Sequence, residues 1–457
     1  MRPLTALLVV LAMASGCTEI APPSQPPAPP QPAARLLPPK HKTRAMAYAP
    51  SEACKDCHIH AHEQQALSMH AQAYTNPVFQ AQYFRDVLPM MLEGPRFVQE
   101  AQSCAACHMP VAHQMNPGHV IIGRHVDPQM SGVTCDLCHR ISGFRGAAPE
   151  NGNFIASPGE EKYGPFRHSS SWHHVYLEFQ TTSEFCAVCH ESVNTLGVRV
   201  KPTYTEWKAS PYAASGIQCQ ECHMNAKGYL IDHKAQYESG KAAEMTLGTA
   251  PERSRLYSHR FPGARTQTQL DNAIPLRLRT DRADAAPGEE LAITVEVDNE
   301  RTGHRMPSGS IELRTVWLDL EARVGDRRIA IPASSAPDSA GYDIGGALPA
   351  DRAALGQDFP QGKRVYRAVF VDAAGNQTQS MVEAARKVFD NRLDPAKVRT
   401  ERYTWRVPQD VQGKVTLVAR LHYLAYPRAF AAKLELPPAP NTLVSTGEIE
   451  VAIRPAR

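Results

Sequence analysis

Outside one repeated pattern the 457-residue chain contains a single cysteine, Cys17, and after Cys222 it contains none. That scarcity excludes a disulfide framework, and no disulfide-linked partner is expected. Charge of one sign is also missing: 49 lysines and arginines stand against 46 acidic residues, a formal +3. So small an excess offers no footing for nucleic acid. Long apolar runs are lacking too, since the stretch from Leu4 to Met13 is too short for a permanent membrane span.

What the sequence does hold is five copies of Cys-x-x-Cys-His: Cys54-Lys-Asp-Cys57-His58, Cys104-Ala-Ala-Cys107-His108, Cys135-Asp-Leu-Cys138-His139, Cys186-Ala-Val-Cys189-His190 and Cys219-Gln-Glu-Cys222-His223. Two thiols three residues apart can form thioethers to the vinyl groups of one porphyrin, and the next histidine then reaches the iron. A zinc site would need a second Cys pair or two spaced histidines, and would not require a histidine after every second cysteine. Five covalently bound c-type haems are expected, with His58, His108, His139, His190 and His223 as proximal ligands. At roughly one net negative charge per ferric haem with ionised propionates, they turn the holoprotein slightly acidic. The first cysteines follow one another by 50, 31, 51 and 33 residues, a long-short alternation that hints at a duplicated two-haem unit.

Residues 1–16 read as an export leader: Arg2, an apolar run, then Ala14, Ser15 and Gly16 before Cys17. The Ala-Ser-Gly-Cys end resembles a lipoprotein processing site, although Ala14 stands where that pattern carries Leu. Lipidation of Cys17 would tether the protein to a membrane; simple cleavage leaving a free thiol is the alternative. Residues 17–47 form a proline-rich tether, with Pro22-Pro23, Pro26-Pro27 and Pro29-Pro30 among the chain's 38 prolines. Residues 48–262 are then a mostly α or irregular multihaem cytochrome c domain. About forty residues per haem cannot enclose each porphyrin in apolar side chains, so the haems themselves make much of the interior. Helix-compatible spacing covers 63–74 and 76–93, with little or no sheet expected.

The ten further histidines from His60 to His233 are the pool for the opposite face of each iron. His70, His113 and His233 are favoured by position. His119 and His125, and the cluster His168, His173 and His174, would supply the rest. His60 and His62 lie too close to the first motif and are read as solvent or propionate contacts, and Met109 and Met224 as porphyrin packing.

Ser68-Met-His70-Ala beside the first motif, Phe185-Cys186-Ala-Val-Cys189-His190, and Glu206-Trp207-Lys-Ala-Ser210-Pro ahead of Gly216-Ile-Gln-Cys219-Gln-Glu-Cys222-His223-Met224 resemble multihaem cytochromes c related to the tetrahaem electron acceptor of hydroxylamine oxidoreductase. The resemblance covers about residues 48–235. It implies stacked, mostly bis-histidine haems, with His70 and His233 as distal ligands. Here there are five motifs instead of four. Tyr212, in Ala209-Ser-Pro-Tyr212-Ala, stands where the matching segment Leu67-Ser-Met-His70-Ala has histidine, so an open iron is sought there first.

Residues 263–457 carry no motif and alternate instead, which reads as an all-β sandwich-like domain. Leu291, Ile293, Val295 and Val297 face one way, and Val415, Leu417, Ala419 and Leu421 repeat the pattern. Further strands are expected over 274–280, 311–320, 365–372, 402–407 and 447–453. Between two of them, Thr302-Gly-His304-Arg-Met-Pro307-Ser-Gly309 is either a structured turn or a means of bringing His304 to a haem. That turn, with Arg392-Leu-Asp-Pro395, Tyr403-Thr-Trp405 and Ala419-Arg-Leu-His-Tyr423, resembles β-domains attached to multihaem cytochromes.

The expected function is extracytoplasmic electron transfer between a membrane-linked protein donor and a periplasmic or extracellular acceptor, in an exported, lipid-anchored protein of a bacterial periplasm or outer-membrane surface. Two alternatives stand beside it. One is a haem enzyme reducing or oxidising small nitrogen or sulfur compounds at one five-coordinate iron. The other is a subunit of a conductive filament.

Overall fold

The computed structural model describes residues 47–167, 173–227, 234–244, 250–264, 266–271, 273–346 and 359–455. The expected leader, Cys17, most of the tether, His168 and His233 lie outside them.

The motif-bearing half is built of short helices and loops. Its main helices are α1 (Ile59–Ala66), α2 (Pro95–His108), α3 (Pro110–Met115), α4 (Cys135–Cys138), α5 (Ser183–His190), α6 (Thr203–Lys208), α7 (Pro211–Ala214) and α8 (Cys219–His223). Proline opens α2, α3 and α7, where its missing N–H costs nothing. A further helical stretch, 77–90, is capped by the Asn76 side chain, which accepts from the Val78 and Phe79 amides. The first helix begins at the motif and stops at Ala66, earlier than the sequence pattern suggested; turns then carry the chain past Ser68, whose hydroxyl accepts from the Ala71 amide. Among the described residues of this half, sheet is confined to two-stranded ladders, such as Glu238–Lys241 with Glu252–Leu256. Among the described residues no helix is long and apolar enough to cross a membrane.

The second half is strand-rich. Its strands are β1 (Leu276–Thr280), β2 (Asp284–Ala285), β3 (Glu290–Asp298), β4 (Thr315–Val324), β5 (Arg327–Ala330), β6 (Arg364–Tyr366), β7 (Ala368–Val371), β8 (Gln377–Thr378), β9 (Arg386–Asp390), β10 (Val398–Arg406), β11 (Gly413–Leu424) and β12 (Asn441–Ile453). One sheet runs β2-β12-β11-β4-β5, with β6 also paired to β4; a second runs β10-β3-β1, and a third β8-β7-β9. The first two share one apolar core. Leu291, Ile293, Val295 and Val297 of β3 meet Val316, Leu318 and Leu320 of β4 and Val415, Leu417, Ala419 and Leu421 of β11. The expected strand at 311–320 starts only at Thr315. Gly309, at φ +78°, turns the chain, and 310–314 coil into a turn in which the Arg314 amide reaches the Ser310 carbonyl.

A second core joins the halves: Phe79, Phe97, Ala105 and Met109 pack with Ile311, Phe370, Met381 and Val382. Asn194 extends the junction by donating to the Met381 and Ala384 carbonyls, at 2.9 and 2.7 Å.

Candidate functional site

Between the two halves lies one continuous cavity of about 2480 Å³, well above the 300–1,000 Å³ of an ordinary ligand pocket. All five motif histidines and nine of the ten motif cysteines line it. The space is therefore shared by several bulky groups.

The motifs hold one another in place. Thr134 caps α4 by accepting from the Leu137 amide, and the Cys135 amide is taken by the Ser51 hydroxyl at 3.1 Å. The same device recurs at α8, whose Cys219 amide donates to the Ser183 hydroxyl at 3.1 Å. Ser51 stands three residues before Cys54 and Ser183 three before Cys186. In each case a serine one turn ahead of one motif caps another motif. The thiols follow the same logic: Cys54 neighbours Cys135, Cys186 neighbours Cys219, and Cys107 neighbours Cys189. The first motif thus neighbours the third, the fourth the fifth, and the second the fourth. None but the fourth and fifth are adjacent in sequence.

Two imidazole nitrogens sharing one metal at about 2.0–2.1 Å each, with ring centres roughly 1 Å further back, put the centroids about 6 Å apart. Four motif histidines have such a counterpart. The centroid distances are 5.9 Å for His58 and His173, 6.3 Å for His139 and His259, 5.9 Å for His190 and His70, and 6.2 Å for His223 and His304. Backbone carbonyls hold several of the other ring nitrogens. Nδ1 of His58 meets the Ala242 oxygen at 2.6 Å, that of His139 the Tyr163 oxygen at 2.6 Å, that of His108 the Ala73 oxygen at 2.9 Å, and that of His304 the Arg305 oxygen at 2.9 Å. Donation of Nδ1–H to a carbonyl leaves Nε2 with its lone pair free, the arrangement a metal-binding imidazole requires. Burial pushes His70, His108, His223 and His259 down to about 4 and His190 to about 3, which keeps them neutral and able to ligate. The residues present thus fit covalent haem with paired axial imidazoles.

Each counterpart is brought in from a distance. The His70 carbonyl accepts from the Val133 amide at 2.9 Å, an approach that needs Gly132 at φ +69°, because a Cβ there would lie 2.3 Å from the Ala71 oxygen. His259 is fixed by its amide, which donates to the Gln64 side chain of α1 at 2.7 Å, while the Ser258 amide reaches the Met224 carbonyl. His304 rides on the loop between β3 and β4. Asn299, fully buried, donates to the carbonyls of His304, Leu393 and Asp394; Ser308 bonds Thr203 and Glu206; the Tyr212 hydroxyl donates to the Glu300 carbonyl. Arg392, 1% exposed, pairs with Glu206 at 2.7 Å and donates to the Pro307 carbonyl. The loop is both the structured turn and the carrier of the imidazole.

These positions depart from the sequence expectation in three ways. His113, His119 and His125 lie outside the cavity: their segment buries Met109, Val111, Ala112 and Ile121 and leaves His119 exposed, with its Nδ1 on the Pro117 oxygen. His174 lines the cavity, but its Nε2 is held by the Phe166 carbonyl at 3.0 Å. Tyr212 does not mark an open face, since the motif it accompanies has His304 opposite it. The unmatched imidazole is His108. Among the described residues no second histidine ring faces it, and Phe79 lies flat against its ring at 4.0 Å. His259 carried no local signal, having no motif or helical spacing around it. His60 and His62 meet carboxylates, Glu238 at 3.0 Å and Glu52 at 3.2 Å. Met224 lines the cavity, whereas Met109 packs in the core that joins the halves.

A profile of the family described as cytochrome c554 and c-prime matches residues 53–140, which hold the first three motifs. A penta-heme cytochrome c552 from Thermochromatium tepidum superposes with a TM-score of 0.58 at 19% identity, over 88% of this chain and 99% of that one. The sporulation control protein Spo0M from Bacillus subtilis aligns over 40% of this chain and 50% of its own at 11% identity; its TM-score of 0.17 carries no argument. No curated protein matches the sequence. The chain has the fold of a multihaem cytochrome c.

Proposed function

We propose that this protein is an extracytoplasmic pentahaem c-type cytochrome that carries electrons from a membrane-linked donor to a periplasmic or extracellular acceptor. Each Cys-x-x-Cys-His motif supplies two thioether sulfurs and one axial imidazole. One observation carries the reading: four motif imidazoles are each faced by a second imidazole at 5.9–6.3 Å across a shared cavity. On this assignment His173, His259, His70 and His304 serve the first, third, fourth and fifth sites. Haem held between two imidazoles supplies low-spin iron that rearranges little when it gains an electron. The chain's own part is to fix rings by Nδ1 contacts, to keep His70, His139, His173, His190, His223 and His259 neutral by burial, and to set the sites side by side. The nearness of Cys54 to Cys135, of Cys138 to Cys186 and Cys189, of Cys186 to Cys219 and of Cys107 to Cys189 supports an order of first, third, fourth, fifth, with the second joined at the fourth. Export and lipidation of Cys17 belong to the same proposal, as the means of holding this array at a membrane.

His108 supports a second reading, a haem enzyme acting on small nitrogen or sulfur compounds at one five-coordinate iron. The electron paramagnetic resonance spectrum of the oxidised protein separates the two. The four paired-imidazole sites should give low-spin signals on either reading, and a fifth, high-spin signal with carbon monoxide bound by one iron after reduction is expected on the second reading alone. Five low-spin signals would remove the enzyme reading, and two or more high-spin signals would sink the assignment of paired imidazoles.

A further inference from the structure

Glu312 sits where the two halves meet, in the turn between Gly309 and β4. It is 7% exposed, and neither of its carboxyl oxygens has a hydrogen-bond partner. A buried carboxylate in that condition is under pressure to take up a proton. On one side Glu312 borders a chamber of about 20 Å³, also lined by Arg367, Gln377 and Gln379, with room for a water molecule. Gln377 Oε1 and Gln379 Nε2 are likewise buried without a partner, so the chamber presents both acceptors and a donor. Lys201 lines the haem cavity and acts electrostatically on Glu312, His108, Cys104 and Cys107 alike. The neighbouring Ile311 packs in the same core as Phe79, Ala105 and Met109 around the second motif. The charged groups facing Glu312 are Lys201, Arg314 and, across the chamber, Arg367.

We propose that Glu312 is a proton-binding site coupled to the iron held by His108. It takes one proton from chamber water when that iron gains an electron from a neighbouring haem or an external one-electron reductant, and returns it on reoxidation. One O–H bond forms at the carboxyl, ferric iron becomes ferrous, and no bond to the metal changes. The electron adds negative charge within the field of Lys201, which offsets that cation's pull on Glu312 and favours the protonated acid. Burial already pushes this carboxyl up to about 7, against the pull of Lys201 and Arg314, so the exchange falls near neutral pH.

The test is a spectroelectrochemical titration of the purified holoprotein across pH, with infrared redox difference spectra. One haem is expected to show a potential that falls with pH near neutrality, approaching one proton per electron, or about 59 mV per tenfold change in proton activity. A protonated-carboxyl band should appear on reduction. Glu312→Gln should remove both the slope and the band. Lys201→Met keeps the carboxyl and should move the slope to higher pH, because a cation that lowers the acid's affinity for protons is gone. A wild-type potential independent of pH, or a slope and band that survive Glu312→Gln, would overturn the proposal. The inference rests on a haem at Cys104, Cys107 and His108. A preparation with only four haems would overturn that assignment and this inference together, whereas five haems without the slope would overturn this inference alone.

Discussion

The two halves solve the problem of making an interior in different ways. In the strand-rich half β3, β4, β11 and β12 interleave apolar side chains into a single protein core, with Val295, Val316, Leu417 and Ala419 all fully buried. In the motif-bearing half the helices are short, its own apolar clusters are small, and the middle is a cavity of about 2480 Å³ bounded by cysteines and histidines. One half is held together by burying its own hydrocarbon; the other leaves that task to what its cysteines bind. The difference also explains where the halves touch. The β half contributes Ile311, Phe370 and Met381 to the apolar packing beside the second motif and His304 to the face of the fifth, so it completes the wall of the cavity.

The largest expected effect comes from removing the cofactor. Protein made in cells that cannot attach haem should lose protease resistance throughout residues 48–262, whereas a resistant fragment beginning near residue 263 should keep a β-type circular dichroism spectrum. Equal protection of both halves without haem would break the comparison. A smaller effect is expected where the halves are joined. Arg392→Ala leaves Glu206 buried without its cation, while Asp390 keeps Lys387 and Arg305, and should cost about 3–5 kcal/mol in denaturant unfolding. The exposed pair Lys414 and Glu450 is the control, and Lys414→Ala should change stability by about 0–1 kcal/mol. A cost for Arg392→Ala no greater than the control's would mean that the junction contributes nothing to either half.

How much of this could be read from the chain follows the same division. The strands were legible because alternation is local: the apolar positions of β3 and β11 announce their inward faces without reference to any other segment. The motifs were legible because thioether attachment fixes the spacing of Cys, Cys and His within five residues. The residues opposite them were legible only in part: His70 and His173 stood among the candidates and His304 as one reading of its turn, but an imidazole can approach a site from any part of the chain. His259 arrives from beyond the last motif and His304 from the other half, on a loop held by Asn299, Ser308 and Arg392. His113, close to its motif in sequence, is carried out of the cavity by the helix that buries Val111 and Ala112. Even Tyr212, the residue that stood out, lies beside His304 because its hydroxyl pins the loop that delivers that imidazole to the cavity.

The smallest expected effect isolates the junction's electrostatics from the haem sites. Burial raises the Asp390 carboxyl, but the hydrogen bond and charge of Arg392 and the ammonium of Lys387 outweigh it, so its value falls from 3.8 to about 2. A carboxyl lowered in the folded state contributes stability that is complete above its unfolded value and is lost as pH falls through its folded one. The window is therefore about pH 4 down to pH 2, and the contribution at stake is at most about 2 kcal/mol. Acid also protonates imidazoles released from iron, so the overall loss of stability in that window mixes two sources. The difference between wild type and Asp390→Asn separates them. The variant should be less stable at neutral pH and lose less between pH 4 and 2, while its haem spectra change at the same pH as the wild type's. Parallel stability curves for the two proteins would mean that Asp390 is ordinary in the folded state, and that acid acts on this molecule through its haem half alone.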